Sequence, residues 1–205
     1  DGQCSPPPWR AAVTAQAVDA FLTSLFALAV AEFGDRPQIL CAALAMRYGR
    51  LSPVIWGLGF ATLCNCLISA IAGSAIHRWI SEDALQLFYA LSLIFAGFGM
   101  VAWRRPVDLL ENWQLGPFWT SFVGLFILQF GDKGQFVLMA TAARTDMGFF
   151  AAAGGWFGVM IACLPAILFY RQLTENIPMV PVRYAGGALF LLAGTILALG
   201  AWGIV

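Results

Sequence analysis

Six apolar stretches, each long enough to cross about 30 Å of hydrocarbon as a helix, dominate what this chain can fold into. They cover residues 18–46, 53–76, 84–103, 118–143, 149–170 and 182–202. Polar, basic or helix-breaking residues separate them: Arg47-Tyr48-Gly49-Arg50, Ser81-Glu82-Asp83, Arg104-Arg105-Pro106, Arg144-Thr145-Asp146, and Pro178 with Pro181. Trp79, Trp103, Trp113 and Trp119 cluster near these edges, where aromatic side chains favour the headgroup region. With 60% hydrophobic and only 11% charged residues among 205, the chain holds more apolar surface than a water-soluble fold of its length can hide. The expected fold is all-α, a polytopic membrane protein of six transmembrane helices.

The chain also repeats itself at a constant offset of 97 residues. Phe33-Gly34-Asp35 matches Phe130-Gly131-Asp132, Arg36 matches Lys133, and Gln38 matches Gln135. The same offset aligns Gly57 with Gly154, Phe60 with Phe157, Cys66 with Cys163, and Ala96-Gly97 with Ala193-Gly194. The expected organisation is a disordered tail over 1–17, a three-helix repeat over 18–103, a linker over 104–117 and a second three-helix repeat over 118–205. Three is an odd number of spans, so the second copy must enter the membrane from the opposite side, giving inverted repeats. Arg47, Arg50, Arg104, Arg105, Arg171 and Arg183 fall on the side of the odd-numbered loops, and Arg10, Arg78 and Arg144 on the other. This bias places the odd loops in the cytoplasm and both termini outside.

Other function classes find little support. Net charge is zero, with no basic run for nucleic acid and no acidic tail. His77 sits beside Arg78 and Trp79 and reads as an interfacial side chain. The five cysteines fit no ligand spacing; Cys41, Cys64, Cys66 and Cys163 read as small packing residues, and Cys4 as the one that meets water. Residues 1–9, with Pro6-Pro7-Pro8, carry no basic, apolar, cleavable leader. No nucleophile–base pair or cofactor motif supports an enzyme, and no cofactor is expected.

The chemistry lies in two short motifs. Glu32-Phe33-Gly34-Asp35-Arg36 falls inside the first apolar stretch and Gln129-Phe130-Gly131-Asp132-Lys133 inside the fourth. Each ionisable group at that depth costs roughly 2.5–3.5 kcal/mol on the insertion scale, a cost tolerated when the groups face a water-filled cavity, pair together or bind an ion. Glu32 and Asp35 are three apart and share a face if the segment is helical. Gly34 permits unwinding or a close backbone approach, and Pro37 cannot donate to the Phe33 carbonyl, so the span is expected to kink or break there. Gly131 and Gly134 offer the second copy a similar break. The candidate donors are all oxygens: Glu32, Asp35, Asp132, the amides of Gln38, Gln129 and Gln135, and freed carbonyls. That set suits hard cations such as Ca²⁺, Mg²⁺ and Mn²⁺ rather than zinc or copper. Clustered carboxylates can also share protons, so a site that alternates between protons and a cation is the minimum equipment of an exchanger. Arg36 and Lys133 are expected to pair with acids and support the motif, together with Gly34 and Gly131. Thr62, Asn65 and Ser69 form a polar stripe read as helix–helix hydrogen bonding.

These residues carry a resemblance. Paired motifs of the form Glu-x-Gly-Asp-(Lys/Arg)-(Ser/Thr), in the first and fourth of six spans, mark a family of calcium/manganese–proton exchangers long catalogued as "uncharacterised protein family sixteen". The chain resembles a minimal bacterial member over residues 18–203. The resemblance implies a secondary transporter of the inner membrane that exchanges Mn²⁺ or Ca²⁺ for H⁺, with Glu32 and Asp35 as ligands from one copy and Asp132 from the other. Gln129 stands where the family has a second Glu, and Pro37 and Gly134 replace its hydroxyl residues. The expected partners are the cation, protons and the lipid bilayer, with a second copy of the chain retained as a candidate and nucleic acid excluded. The alternatives are an exporter of small solutes of the basic amino acid type, with Phe33 and Phe130 as aromatic walls, or a transport-inactive membrane subunit.

Overall fold

The computed structural model describes residues 8–102, 106–169 and 179–201. Cys4, Trp103, Arg104, Arg105, Arg171 and Pro178 lie outside the described residues, as does most of the proline-rich start. Among those described, eight helices follow in order: α1 Pro8–Glu32, α2 Arg36–Tyr48, α3 Leu51–His77, α4 Glu82–Ala102, α5 Gly116–Gln129, α6 Lys133–Thr145, α7 Gly148–Leu168 and α8 Met179–Ala201. Five contain stretches long and apolar enough to cross a membrane. A sixth crossing is made if α5 and α6, bent by 68° at a short break, count as one span.

Two expectations about the first span need correction. Helix α1 begins at Pro8, so residues 8–17 of the expected tail are helical. Proline is tolerated in a first turn, where its missing N–H has no role, and the Ala-rich run after it favours helix. The first span does break within residues 18–46, as expected, with α1 ending at Glu32 and α2 starting at Arg36, but Pro37 is not the cause. The break comes from Gly34 at φ 74°, a left-handed conformation that L side chains avoid. Pro37 then sits in the first turn of α2, so it follows the break and does not cause it. The fourth stretch breaks in the same way, with Gly131 at φ 72° between α5 and α6.

Close packing depends on small residues, as expected where lipid offers no hydrophobic drive between helices. The main contacts are α1 against α7, α4 against α8, and α3 against α5 and α6. At Gly57 of α3 a Cβ would fall 2.9 Å from the Phe118 carbonyl oxygen and 2.6 Å from Ser121 Cβ on α5. At Gly154 of α7 it would strike the Phe21 carbonyl oxygen and come 2.5 Å from Ser24 Oγ on α1. These two contacts involve residues matched by the 97-residue offset. So do Gly97, whose Cβ would meet the Gly187 oxygen and Leu191, and Gly194, whose Cβ would meet the Ala90 oxygen and Ile94.

The α1–α7 seam can be tested through Gly158, where a Cβ would collide with the Leu25 carbonyl oxygen and lie 3.0 Å from the Ala29 nitrogen. Gly158→Ala is expected to cost about 1–3 kcal/mol by overpacking. Gly200→Ala in α8, with nothing within 4 Å of the added atom, should be neutral. Thermal melting of the purified variants in detergent checks this; equal melting points would refute the packing account.

Candidate metal centre

Both helix breaks converge on one place. Asp35 and Asp132 are the N-cap residues of α2 and α6, in extended conformation, and neither side chain caps its own helix. Their carboxylates are therefore turned to other partners. Each turn is braced by a glutamine from the first turn beyond it. Gln38 accepts a hydrogen bond from the Gly34 N–H at 2.8 Å, and Gln135 accepts one from the Gly131 N–H at 2.6 Å. Gln38 also donates through Nε2 to the Ala162 carbonyl at 2.8 Å, fixing α2 to α7. Both amide oxygens, read from sequence as candidate ligands, are thus engaged by their own turns.

One carboxylate oxygen from each of Glu32, Asp35 and Asp132 lies within 4.8 Å of the others. Glu32 and Asp35 are 3% exposed, so this is an acidic cluster inside the bundle. Its depth follows from its neighbours. Glu32 shares a small cavity with Thr62, Asn65, Cys66 and Ser69 from the middle of α3 and Val159 from the middle of α7. The cluster therefore sits level with the centre of two uninterrupted spans, although Glu32 is the last residue of α1. Gly134 makes the approach of Glu32 possible, since a Cβ there would lie 2.7 Å from Glu32 Oε1.

Charge is balanced by crossed pairing between the motifs. Arg36 of the first motif donates to Asp132 Oδ1 of the second at 2.8 Å. Lys133 of the second motif donates to Asp35 Oδ2 of the first, and also reaches Asp132 Oδ2 at 3.2 Å. Arg183, expected as a loop charge, lies in α8 instead, with Nη1 3.8 Å from Asp35 Oδ1 and Nη2 donating to the Gly99 carbonyl at 3.1 Å. So deep in the bundle, Asp35 and Asp132 each need an opposite charge close by, and breaking one such pair would leave the other charge largely uncompensated. Asp35, Arg36, Asp132, Lys133 and Arg183 line a cavity of about 150 Å³ together with Phe95, Gly99 and Gly131.

Among the described residues, two buried side-chain oxygens have no hydrogen-bond partner: Glu32 Oε2 and Asn65 Oδ1. The Asn65 amide is oriented by its nitrogen, which donates to the Ala61 and Phe126 carbonyls, both at 3.2 Å, so its oxygen is left over. Both residues line the same small cavity. Buried acceptors are rarely left unsatisfied, and two facing one cavity mark a place for a proton, a water or a cation. Gln129 is 6% exposed and lines that cavity too, exchanging hydrogen bonds with Thr62 at 3.2–3.3 Å. Of the polar stripe on α3, Ser69 bonds within its helix while Thr62 and Asn65 reach α5, the helix–helix role expected of them. Sequence reading missed Arg183 and the spare oxygen of Asn65. A charge within the last apolar stretch was the available signal for the first; the second depends on which way an amide turns, which no pattern records.

A model of the family described as "Divalent cation/proton antiporter GDT1" matches the chain twice, over residues 20–107 and 117–204. A Vibrio cholerae protein named "Putative manganese exporter" is 29% identical over 174 residues, covering 82% of this chain and 85% of its own length. A GDT1-like protein of Synechocystis is 26% identical, covering 84% and 93%. GDT1-like protein 4 of Oryza sativa is 27% identical, covering 84% and 70%. No solved structure matches the chain. The two family matches take in both Gly-Asp motifs and nearly all the described helices, and the chain belongs to the GDT1 family of divalent cation/proton antiporters.

Proposed function

We propose that this chain exchanges Mn²⁺ or Ca²⁺ for protons, with Glu32, Asp35 and Asp132 as the anionic ligands. The observation that carries this reading is the gathering of three carboxylates within 4.8 Å at the centre of an apolar bundle, with one Glu32 oxygen left unpartnered. Carboxylate, amide and carbonyl oxygens suit hard or borderline divalent ions. The name of the Vibrio cholerae relative favours manganese as the first ion to test. Gln129 and Asn65 add neutral oxygens beside Glu32, offsetting the absence of a second Glu at position 129. Gln38 and Gln135 act on the site through the turns they brace. Two protons leaving would balance one divalent ion entering, and no bound cofactor is required.

The transport cycle follows from inverted repeats, residues 18–103 and 118–205 joined by the linker 104–117. The pairwise contacts at Gly57 and Gly154, and at Gly97 and Gly194, support a two-fold relation between the halves. Two breaks of the same hand at Gly34 and Gly131 support it further. In this arrangement the chain lies in a bacterial inner membrane with both termini outside. The cavity at Asp35 and Asp132 is small for an organic solute, whose pockets run from about 300 Å³ upward. Phe33 and Phe130 do not line it, and Phe130 is exposed. These features favour an ion over a basic amino acid.

Gln129→Glu would add a carboxylate beside Glu32, strengthening the field for a divalent ion and for protons alike. The expected result is tighter Mn²⁺ and Ca²⁺ binding at alkaline pH, with a steeper loss on acidification than in the wild type. Asp132→Asn should weaken binding at every pH, because an anionic ligand is lost outright. Isothermal titration at a series of acidic to alkaline pH values checks both. Unchanged affinity in both variants would mean that the second motif does not touch the ion.

A further inference from the structure

The basic residues at the cluster divide the carboxylate oxygens between them. Arg36 takes Asp132 Oδ1 at 2.8 Å, and Arg183 lies 3.8 Å from Asp35 Oδ1. Lys133 contacts the other oxygen of each aspartate, Asp35 Oδ2 and Asp132 Oδ2. It is 5% exposed, whereas the Arg36 side chain is 26% exposed. A single positive centre bridging two carboxylates within a three-carboxylate cluster makes the contacts a bound metal ion would make. We propose that the Lys133 ammonium is a tethered competitor of the transported cation, which must displace it from between Asp35 and Asp132 in order to bind. This inference rests on the exchanger reading above.

The geometry provides for the displacement. Lysine is a compact point charge on a flexible four-carbon stem, whereas a guanidinium grips a carboxylate through a rigid fork. The stem of Lys133 passes Gly99 of α4, where even an added Cβ would stay 3.7 Å from Lys133 Cδ, so the backbone there does not crowd it. The adjoining cavity of about 150 Å³ gives the ammonium somewhere to move while it stays charged. Arg36 remains hydrogen-bonded to Asp132 Oδ1, and Arg183 remains a nearby positive charge for Asp35 Oδ1. Return of the ammonium would then help expel the ion, which lets a site of three carboxylates release its cargo.

The test is equilibrium titration of Mn²⁺ and Ca²⁺ into purified wild type, Lys133→Met and Lys133→Arg at one pH. Removing the competitor in Lys133→Met should tighten binding by about tenfold, because two aspartates are left without their inner counter-charge. Lys133→Arg should weaken binding several-fold, since a bidentate guanidinium is harder to displace. A purely structural ion pair predicts the opposite pattern: loss of binding in Lys133→Met and tolerance of Lys133→Arg, as at Arg36 in the matched position. Either result would overturn the proposal. If Lys133→Met fails to fold, Lys133→Arg decides alone: weaker binding supports the competitor, and unchanged affinity rejects it. Absence of Mn²⁺ and Ca²⁺ binding by the wild type would instead count against the exchanger reading itself.

Discussion

The crossed ion pairs between the two motifs are the constraint on which the rest of the structure depends. Asp35 is buried and Asp132 nearly so, with its side chain 11% exposed, and each has a positive partner within contact distance. The partner comes from the other motif in both cases: Lys133 for Asp35 and Arg36 for Asp132. Lys133 also reaches Asp132 of its own motif at 3.2 Å, but the shorter contact of each aspartate crosses to the other half. The halves are held to a single registration by electrostatics, and the glycine-mediated seams of α1 with α7 and α3 with α5 accommodate that registration.

The helix breaks exist to place these charges. An unbroken helix would spend the backbone groups near Gly34 and Gly131 on itself and would point Asp35 and Asp132 along its own surface. A left-handed glycine ends the first helix and lets an aspartate open the next. The glutamine one turn on ties the freed glycine N–H. Irregular backbone at membrane depth is tolerated only where it is buried in protein or lines a cavity; Gly34 is buried, and Gly131, though exposed, lines the cavity. Gly134 has a separate task, leaving space on α6 for Glu32 to reach the cluster from the end of α1.

Much of this was legible in the sequence, because it follows from local rules. Apolar length gave the spans, and the left-handed preference of Gly34 located the first break better than Pro37 did. Charges at membrane depth located Glu32, Asp35 and Asp132, since such groups persist only where something compensates them. What the sequence did not carry was partnership across 96 or more residues. Nothing in a string says that Arg36 meets Asp132 rather than Glu32, or that Lys133 reaches Asp35. Arg183 was misplaced because position near a boundary was taken as loop, when a charge beside an apolar run can equally turn inward. The helical start at Pro8 was missed because three prolines in a row suggested disorder, whereas the last of them opens a helix.

Alternate occupancy of one buried carboxylate cluster by a divalent cation and by protons would couple their two fluxes. Its most direct test is flux in proteoliposomes carrying a trapped pH-sensitive dye, with Mn²⁺ or Ca²⁺ added outside and no imposed voltage. The account predicts cation entry accompanied by alkalinisation of the lumen, and acceleration of entry when the lumen starts more acidic than the bath. Cation entry that leaves luminal pH unchanged and ignores a proton gradient would contradict it.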